Sequence, residues 1–268
     1  MPRGGSSHRG GRAQGPAPAT DNESVSRGDP AGLPSASVAA LYIVATPIGN
    51  LSDITHRAIE TLRTVNVIVC EDTRRTRTLL SHYGITGSLL SLHQHNERAR
   101  AETVIARLQA GESVAYVTDA GTPSISDPGY RLVDSVSAAG LNIIPIPGAS
   151  SVTALLSVSG MPADRFIFEG FLPTKKGQRE RRLAELAHET RTIVFFESPF
   201  RIARTLEEMS SAWGARPACL GRELTKKFEE IRRGSLAELA LWARSKTLRG
   251  EIVLAVAGAP ESARRPPE

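Results

Sequence analysis

Four turns in this 268-residue sequence carry side chains whose types and spacing suit the binding of a polar ligand. In TPIGNLSDIT (46–55), Pro47 and Gly49 allow close backbone approach, while Asn50 and Asp53 supply polar groups. An ordinary strand–helix turn capped by Asp53 would read the same way. CEDTRRTRTLL (70–80) sets the carboxylates of Glu71 and Asp72 directly before Arg74, Arg75 and Arg77. Such a pair beside cations suits an anionic substrate near a polar reaction centre. A helix cap at Asp72 followed by a solvated basic face is the plainer alternative. VTDAGTPSISDPGY (117–130) packs two acids, two prolines and two glycines into one long turn. Asp119 and the backbone of Ala120 and Gly121 can meet the amino-acid end of a cofactor, unless Asp127 merely caps the next helix. IPGASSVTALL (146–156) opens a helix with small residues and free backbone N–H groups, which suits an adenine or ribose edge.

Other chemistries find less support. GxGxxG and GK[ST] are absent, so the first turn is neither a dinucleotide fingerprint nor a P-loop. GxSxG is missing, and no residue set forms a nucleophilic triad. His93 and His95 lack a third ligand at zinc spacing. Cys70 and Cys219 lie in apolar runs and read as buried, reduced thiols. No apolar run approaches the roughly 20 residues of a membrane helix, and MPRGGSSHRGGRAQG lacks a secretory core, so a cytoplasmic location is expected. A net charge of +5 admits a polyanionic partner without requiring one. FLPTKKGQRERR (171–182) and RELTKKFEEIRRG (222–234), with Lys175, Lys176, Lys226 and Lys227, suit a track for RNA phosphates or an ordinary amphipathic surface.

The elements that must position these turns alternate in type. Apolar runs at 41–46, 65–70, 113–119 and 141–147 read as buried strands, with a shorter stretch at 89–92. Helical periodicity occupies the segments between them, including one over Ile54, Ala58, Leu62 and Val65. Alternating strands and helices predict a mostly parallel α/β sheet over 38–161. After a joint at GMPAD, a second α/β unit over 162–259 has strands at 166–171, 192–198, 217–223 and 251–258, with helices near 177–189, 199–212 and 235–244. Residues 1–37, rich in Gly, Pro, Ser and Arg, read as a disordered tail, and 260–268 as a disordered end. A cleft between the two units is expected, with its chemistry in the turns at the carboxyl ends of the strands.

In order along residues 41–258, YIVATPIGNLSDIT, EDTR, HNE, DAGTPSISDPG, PGASS, FEGFLP, RELTK and GE resemble the bacterial ribosomal RNA small-subunit methyltransferase I family, within the tetrapyrrole methylase superfamily. The resemblance implies a two-domain methylase fold with a mostly parallel N-terminal sheet and a mixed C-terminal sheet. It implies S-adenosylmethionine in the interdomain cleft, a homodimer, and 2′-O-methylation of a cytidine in 16S ribosomal RNA of the small subunit. By the same analogy the cofactor would touch Pro47, Asp119, Ala120, Gly121, Ile125, Ser150, Ser151 and Glu197. Corrin-modifying relatives carry a GPGD-like first turn where this chain has TPIGN, which argues against a tetrapyrrole substrate. A ribose hydroxyl needs help losing its proton, so Glu71 and Asp72 are candidate bases, with Arg74 and Lys226 as electrostatic support. Alternatives are a small-molecule or protein methyltransferase of the same superfamily, and a non-catalytic RNA-binding assembly factor.

Overall fold

A computed structural model describes residues 38–93 and 96–260. The tail expected over 1–37, His95, and all of the end expected over 260–268 except Pro260 lie outside the described residues. The described elements run in the order β1 (Leu41–Val44), α1 (His56–Thr64), β2 (Val67–Cys70), α2 (Thr73–His82), β3 (Leu89–Ser91), α3 (Glu97–Gln109), β4 (Val114–Val117), α4 (Tyr130–Ala138), β5 (Ile143–Ile146) and α5 (Ser151–Ser159). Then come β6 (Phe166–Phe171), α6 (Lys176–Glu185), β7 (Thr192–Glu197), α7 (Ile202–Trp213), β8 (Pro217–Arg222), β9 (Glu230–Ser235), α8 (Leu236–Arg244) and β10 (Ile252–Val256).

The first sheet has the order β3-β2-β4-β1-β5 and is parallel throughout. Its central strands, VIVC and VAYV, are buried at every residue. Such continuous apolar runs are what a parallel sheet covered on both faces demands. Ala58, Leu62 and Leu80 of α1 and α2 cover one face. Ala101, Val104 and Leu108 of α3, with Leu132 and Val136 of α4, cover the other.

The second sheet, β6-β7-β10-β8-β9, is mixed: β6 pairs parallel to β7, and the remaining pairs are antiparallel. Side chains along a strand alternate between faces. Ile252, Leu254 and Val256 of β10 therefore pack on one side with α6, α7 and α8, while Val253 and Ala255 point to the other. Leu155, Leu156 and Val152 of α5 cover that other side, together with Ile48 from the turn after β1. Each fully buried Leu contributes about 1.5–3 kcal/mol of transfer free energy, so α5 joins the sheets through apolar contact.

Two sequence expectations are corrected. Asp53 does not cap α1: a short 3₁₀ turn at Leu51–Asp53 forms first, and Thr55 caps the helix, its Oγ1 accepting from the Ala58 N–H at 3.1 Å. The segment EIRRGS, read only as part of a basic track, is the edge strand β9. Edge strands tolerate and use charge to discourage further pairing, which conceals them from a hydrophobic pattern. No helix among the described residues is long and apolar enough to cross a membrane, and both cysteines are free and buried.

Candidate active site

The carboxyl ends of β1, β2, β4 and β5 converge on one cavity of about 500 Å³, closed on its far side by the turns of the second sheet. The turn after β1 is joined to the turn after β4 by a two-bond bridge. The Thr46 N–H donates to the Gly121 carbonyl at 2.9 Å, and the Gly121 N–H to the Thr46 carbonyl at 3.1 Å. Gly121 has φ +82°, a region that costs other L-residues roughly 1–2 kcal/mol. The turn after β2 joins the same cluster: Asp119 accepts from the Asp72 N–H at 3.2 Å and pairs with Arg75 at 3.2 Å. Ser150 and Ser151, at the start of α5, bring helix N-terminal donors to the wall.

Of the residues expected from sequence, Glu71, Asp119, Ala120, Gly121, Ile125, Ser150, Ser151 and Glu197 line this cavity. Four others do not. Pro47 is buried beneath the first turn. Asp72 caps α2, accepting from the Arg74 N–H at 2.8 Å, and also holds the Arg74 guanidinium; these bonds keep its pKa down at about 2. Arg74 is thereby held on the solvent side, 86% exposed. Lys226 turns to Glu223 and Glu251, both at 2.8 Å. Glu197 is at the wall, but its carboxylate faces inward, accepting from Arg201 and Thr205 at 2.7 Å each.

The structure adds residues that motif reading assigned elsewhere or missed. Arg75, Asp127 and Glu251 line the cavity, as do Phe171, Phe196, Pro199 and Leu224. Asp127 does not cap α4, whose first N–H groups are taken by Glu97. DPG and GE were legible as motifs, but only the packing of the halves turns them to one space. With Glu251 held by Lys226 at 2.8 Å, three carboxylates (Glu71, Asp119, Asp127) share the cavity with one guanidinium, Arg75. Burial and then the charges of Asp119 and Asp127 raise the pKa of Glu71. Burial, then Asp119 and Glu251, raise that of Asp127. The cavity therefore favours a ligand with positive charge, plus amide and hydroxyl donors for its polar edges. A cationic sulfonium cofactor with an amino-acid end meets that donor set. Among the described residues no group of three or more His, Cys, Asp or Glu is arranged to hold a metal ion.

The arrangement of two sheets around a cavity at strand ends is that of the tetrapyrrole (corrin/porphyrin) methylases, whose family model matches residues 40–240. Cobalt precorrin-4 methyltransferase shares the fold with a TM-score of 0.63 at 20% identity, over 82% of this chain and 95% of that one. The uroporphyrin-III C-methyltransferase of Thermus thermophilus, solved with S-adenosylhomocysteine, gives 0.58 at 17% identity over 81% and 96%. Sequence similarity is far higher to proteins named ribosomal RNA small subunit methyltransferase I. The protein from Xylella fastidiosa is 52% identical over 82% of this chain and 81% of its own length. That from Mesorhizobium japonicum is 51% identical over 85% and 78%, and that from Escherichia coli O157:H7 is 48% identical over 81% and 77%. The chain belongs to the ribosomal RNA small subunit methyltransferase I family.

Proposed function

We propose that this protein transfers the methyl group of S-adenosylmethionine to the 2′-hydroxyl of a cytidine in 16S ribosomal RNA. In this reading the substrate is the small ribosomal subunit, and the enzyme works as a homodimer in the cytoplasm. The names of its relatives support the RNA substrate. The observation that carries the cofactor is the excess of carboxylates in the cavity: Glu71, Asp119 and Asp127 against the one guanidinium of Arg75, with Glu197 and Glu251 held by Arg201 and Lys226. When bound, S-adenosylmethionine would supply an electrophilic methyl carbon on its sulfonium, and a second positive charge at the ammonium of its amino-acid end. Asp119 with the backbone of Ala120 and Gly121 would hold the amino-acid end, and the N-terminus of α5 at Ser150 and Ser151 the adenosine edge.

The protein's own work is alignment and proton removal. Holding the acceptor oxygen in line with the methyl carbon lowers the barrier by proximity. In this reading Glu71, which lines the cavity, takes the hydroxyl proton. Its raised pKa makes it a better proton acceptor than a free carboxylate. Arg75 takes the electrostatic role expected of Arg74 and Lys226, because it lines the cavity and they do not.

The test is methyl incorporation into small subunits from cells lacking the protein, followed by alkaline hydrolysis. A 2′-O-methyl group blocks the internal nucleophile, so labelled dinucleotides should resist alkali. Label found only in alkali-labile nucleotides would mean base methylation and would end the ribose reading.

A further inference from the structure

Two aromatic side chains at or beside the rim of the cavity are left in solvent by the fold. Phe171, at the end of β6, lines the cavity and is 56% exposed. Its ring stands edge-to-face on Phe196 at 5.6 Å, and Phe196 in turn on Phe168 at 5.0 Å. Phe200 is 92% exposed and follows Ser198 and Pro199, which line the same wall. A bare phenyl forgoes the stabilisation that burial would give it. A scattered exposed apolar residue needs no explanation, but the turn that presents Phe200 is firmly built. The Glu197 carboxylate, 3% exposed, accepts from the Ser198 N–H, Arg201 and Thr205, all at 2.7 Å. The Phe200 N–H donates to Ser198 Oγ at 3.3 Å. The backbone that presents Phe200 is thus fixed through Ser198 and Arg201 by a saturated, buried carboxylate.

The interior of the cavity is acidic and repels phosphate, so an RNA backbone must stay outside. A nucleotide whose ribose hydroxyl reaches the recessed methyl must leave its stack, and its base then needs another flat face. We infer that Phe171 and Phe200 form an aromatic rim that receives unstacked bases of single-stranded RNA, Phe171 the target base and Phe200 its neighbour. This rests on the methyl-transfer reading above. Stacking on an aromatic side chain tolerates any base and complements the hydrogen bonds and shape that select the sequence.

The experiment uses the full chain, the variants F171A and F200A, and the conservative F171Y and F200W. Steady-state methylation of small subunits from cells lacking the protein should show KM raised roughly five- to hundredfold in each alanine variant, the range expected for loss of one base stack. F171Y and F200W should restore it. Affinity for S-adenosylhomocysteine by calorimetry should match wild type in F200A and F200W, and the sedimentation coefficient should match in all four. An unchanged KM in the alanine variants overturns the inference. So does loss of S-adenosylhomocysteine affinity in the Phe200 variants, which would assign the rim to the cofactor, or altered sedimentation, which would make it a contact between copies. If the wild type methylates no subunits, the functional reading fails separately. Binding of a short single-stranded oligoribonucleotide then still reads the rim, and equal affinity of wild type and alanine variants would reject it.

Discussion

The carboxylate of Glu97, in the first turn of α3, accepts hydrogen bonds from the backbone N–H groups of Gly129 and Arg131, both at 3.0 Å. It caps a helix that is not its own. The first N–H groups of a helix have no partner within it, and neither Asp127 nor any other residue of the preceding turn supplies one to α4. Tyr116 adds a second tie, its hydroxyl donating to the Pro128 carbonyl at 2.7 Å. The long turn that lines the cavity is therefore pinned at its end by Glu97 and Tyr116 and at its start by the bridge to Thr46.

Removing that cap should loosen the cavity. Glu97→Ala leaves the buried Gly129 N–H and the part-buried Arg131 N–H without an acceptor, which costs about 1–3 kcal/mol, and it should weaken cofactor binding at the same time. Glu97→Gln keeps an acceptor oxygen and should lose less of both. Urea unfolding and calorimetry measure the two effects. An alanine variant with wild-type stability would show that the cap is idle.

A second tie joins the halves at Gly49. A Cβ there would lie 2.4 Å from Lys226 Cγ and 2.9 Å from Thr225 Oγ1, and that same Oγ1 accepts from the Asn50 N–H at 3.1 Å. Gly49→Ala must displace the Lys226 and Thr225 side chains of the RELTK turn. Overpacking of this kind costs about 1–3 kcal/mol. Displacing Ile48 and Glu251, which line the cavity, should lower kcat by roughly tenfold or more. Melting temperature and methylation kinetics read the outcome, and a fully active, equally stable variant would refute the close approach.

The basic segment at 171–182 divides into structural and free charge. Arg179 is 1% exposed. It is paired with Glu208 at 2.8 Å through Nη2 and donates to the carbonyls of Pro173 and Thr174. Arg179→Ala should cost about 3–5 kcal/mol, the penalty of stranding a partly buried partner. Lys175→Ala, at an exposed position, should change stability by no more than about 0.5 kcal/mol. Chemical denaturation of both variants decides it, and similar losses would contradict the division.

Cofactor affinity should depend on pH in a direction set by Glu71 and Asp127. Both pKa values are raised in the folded protein. A raised carboxyl stabilises the fold below its unfolded pKa, and that contribution is lost as pH rises through the folded value. Glu71→Gln and Asp127→Asn should therefore stabilise the cofactor-free protein at neutral pH. A cationic ligand needs these groups ionised, so affinity should fall on acidification beginning above the ordinary carboxylate range of about 4. The fall should be steeper for S-adenosylmethionine than for S-adenosylhomocysteine, which lacks the sulfonium charge. Calorimetry across pH measures this, and a flat profile would count against ionised carboxylates as the binding feature.

Local pattern was sufficient for most elements. VIVC and VAYV could only be buried strands, Gly160 ends α5 with φ +76°, and the strand–helix alternation implied the parallel first sheet. Motif density likewise located the turns holding Glu71, Asp119, Gly121 and Ser150. These features are short-range, governed by periodicity and backbone sterics within a few residues. The remaining features depended on distant partners. β9 is recognisable as a strand through its pairing with β8, since its own residues are those of a charged edge. Glu97 caps a helix 32 positions away in the chain. Whether a charged side chain serves the cavity or the scaffold depended on which partner lay within hydrogen-bond reach. Arg74 and Arg75 are adjacent in sequence, yet one folds back on Asp72 while the other crosses to Asp119 at the cavity wall. Composition and spacing cannot separate such neighbours, because their difference arises when the carboxyl ends of β2 and β4 are brought side by side.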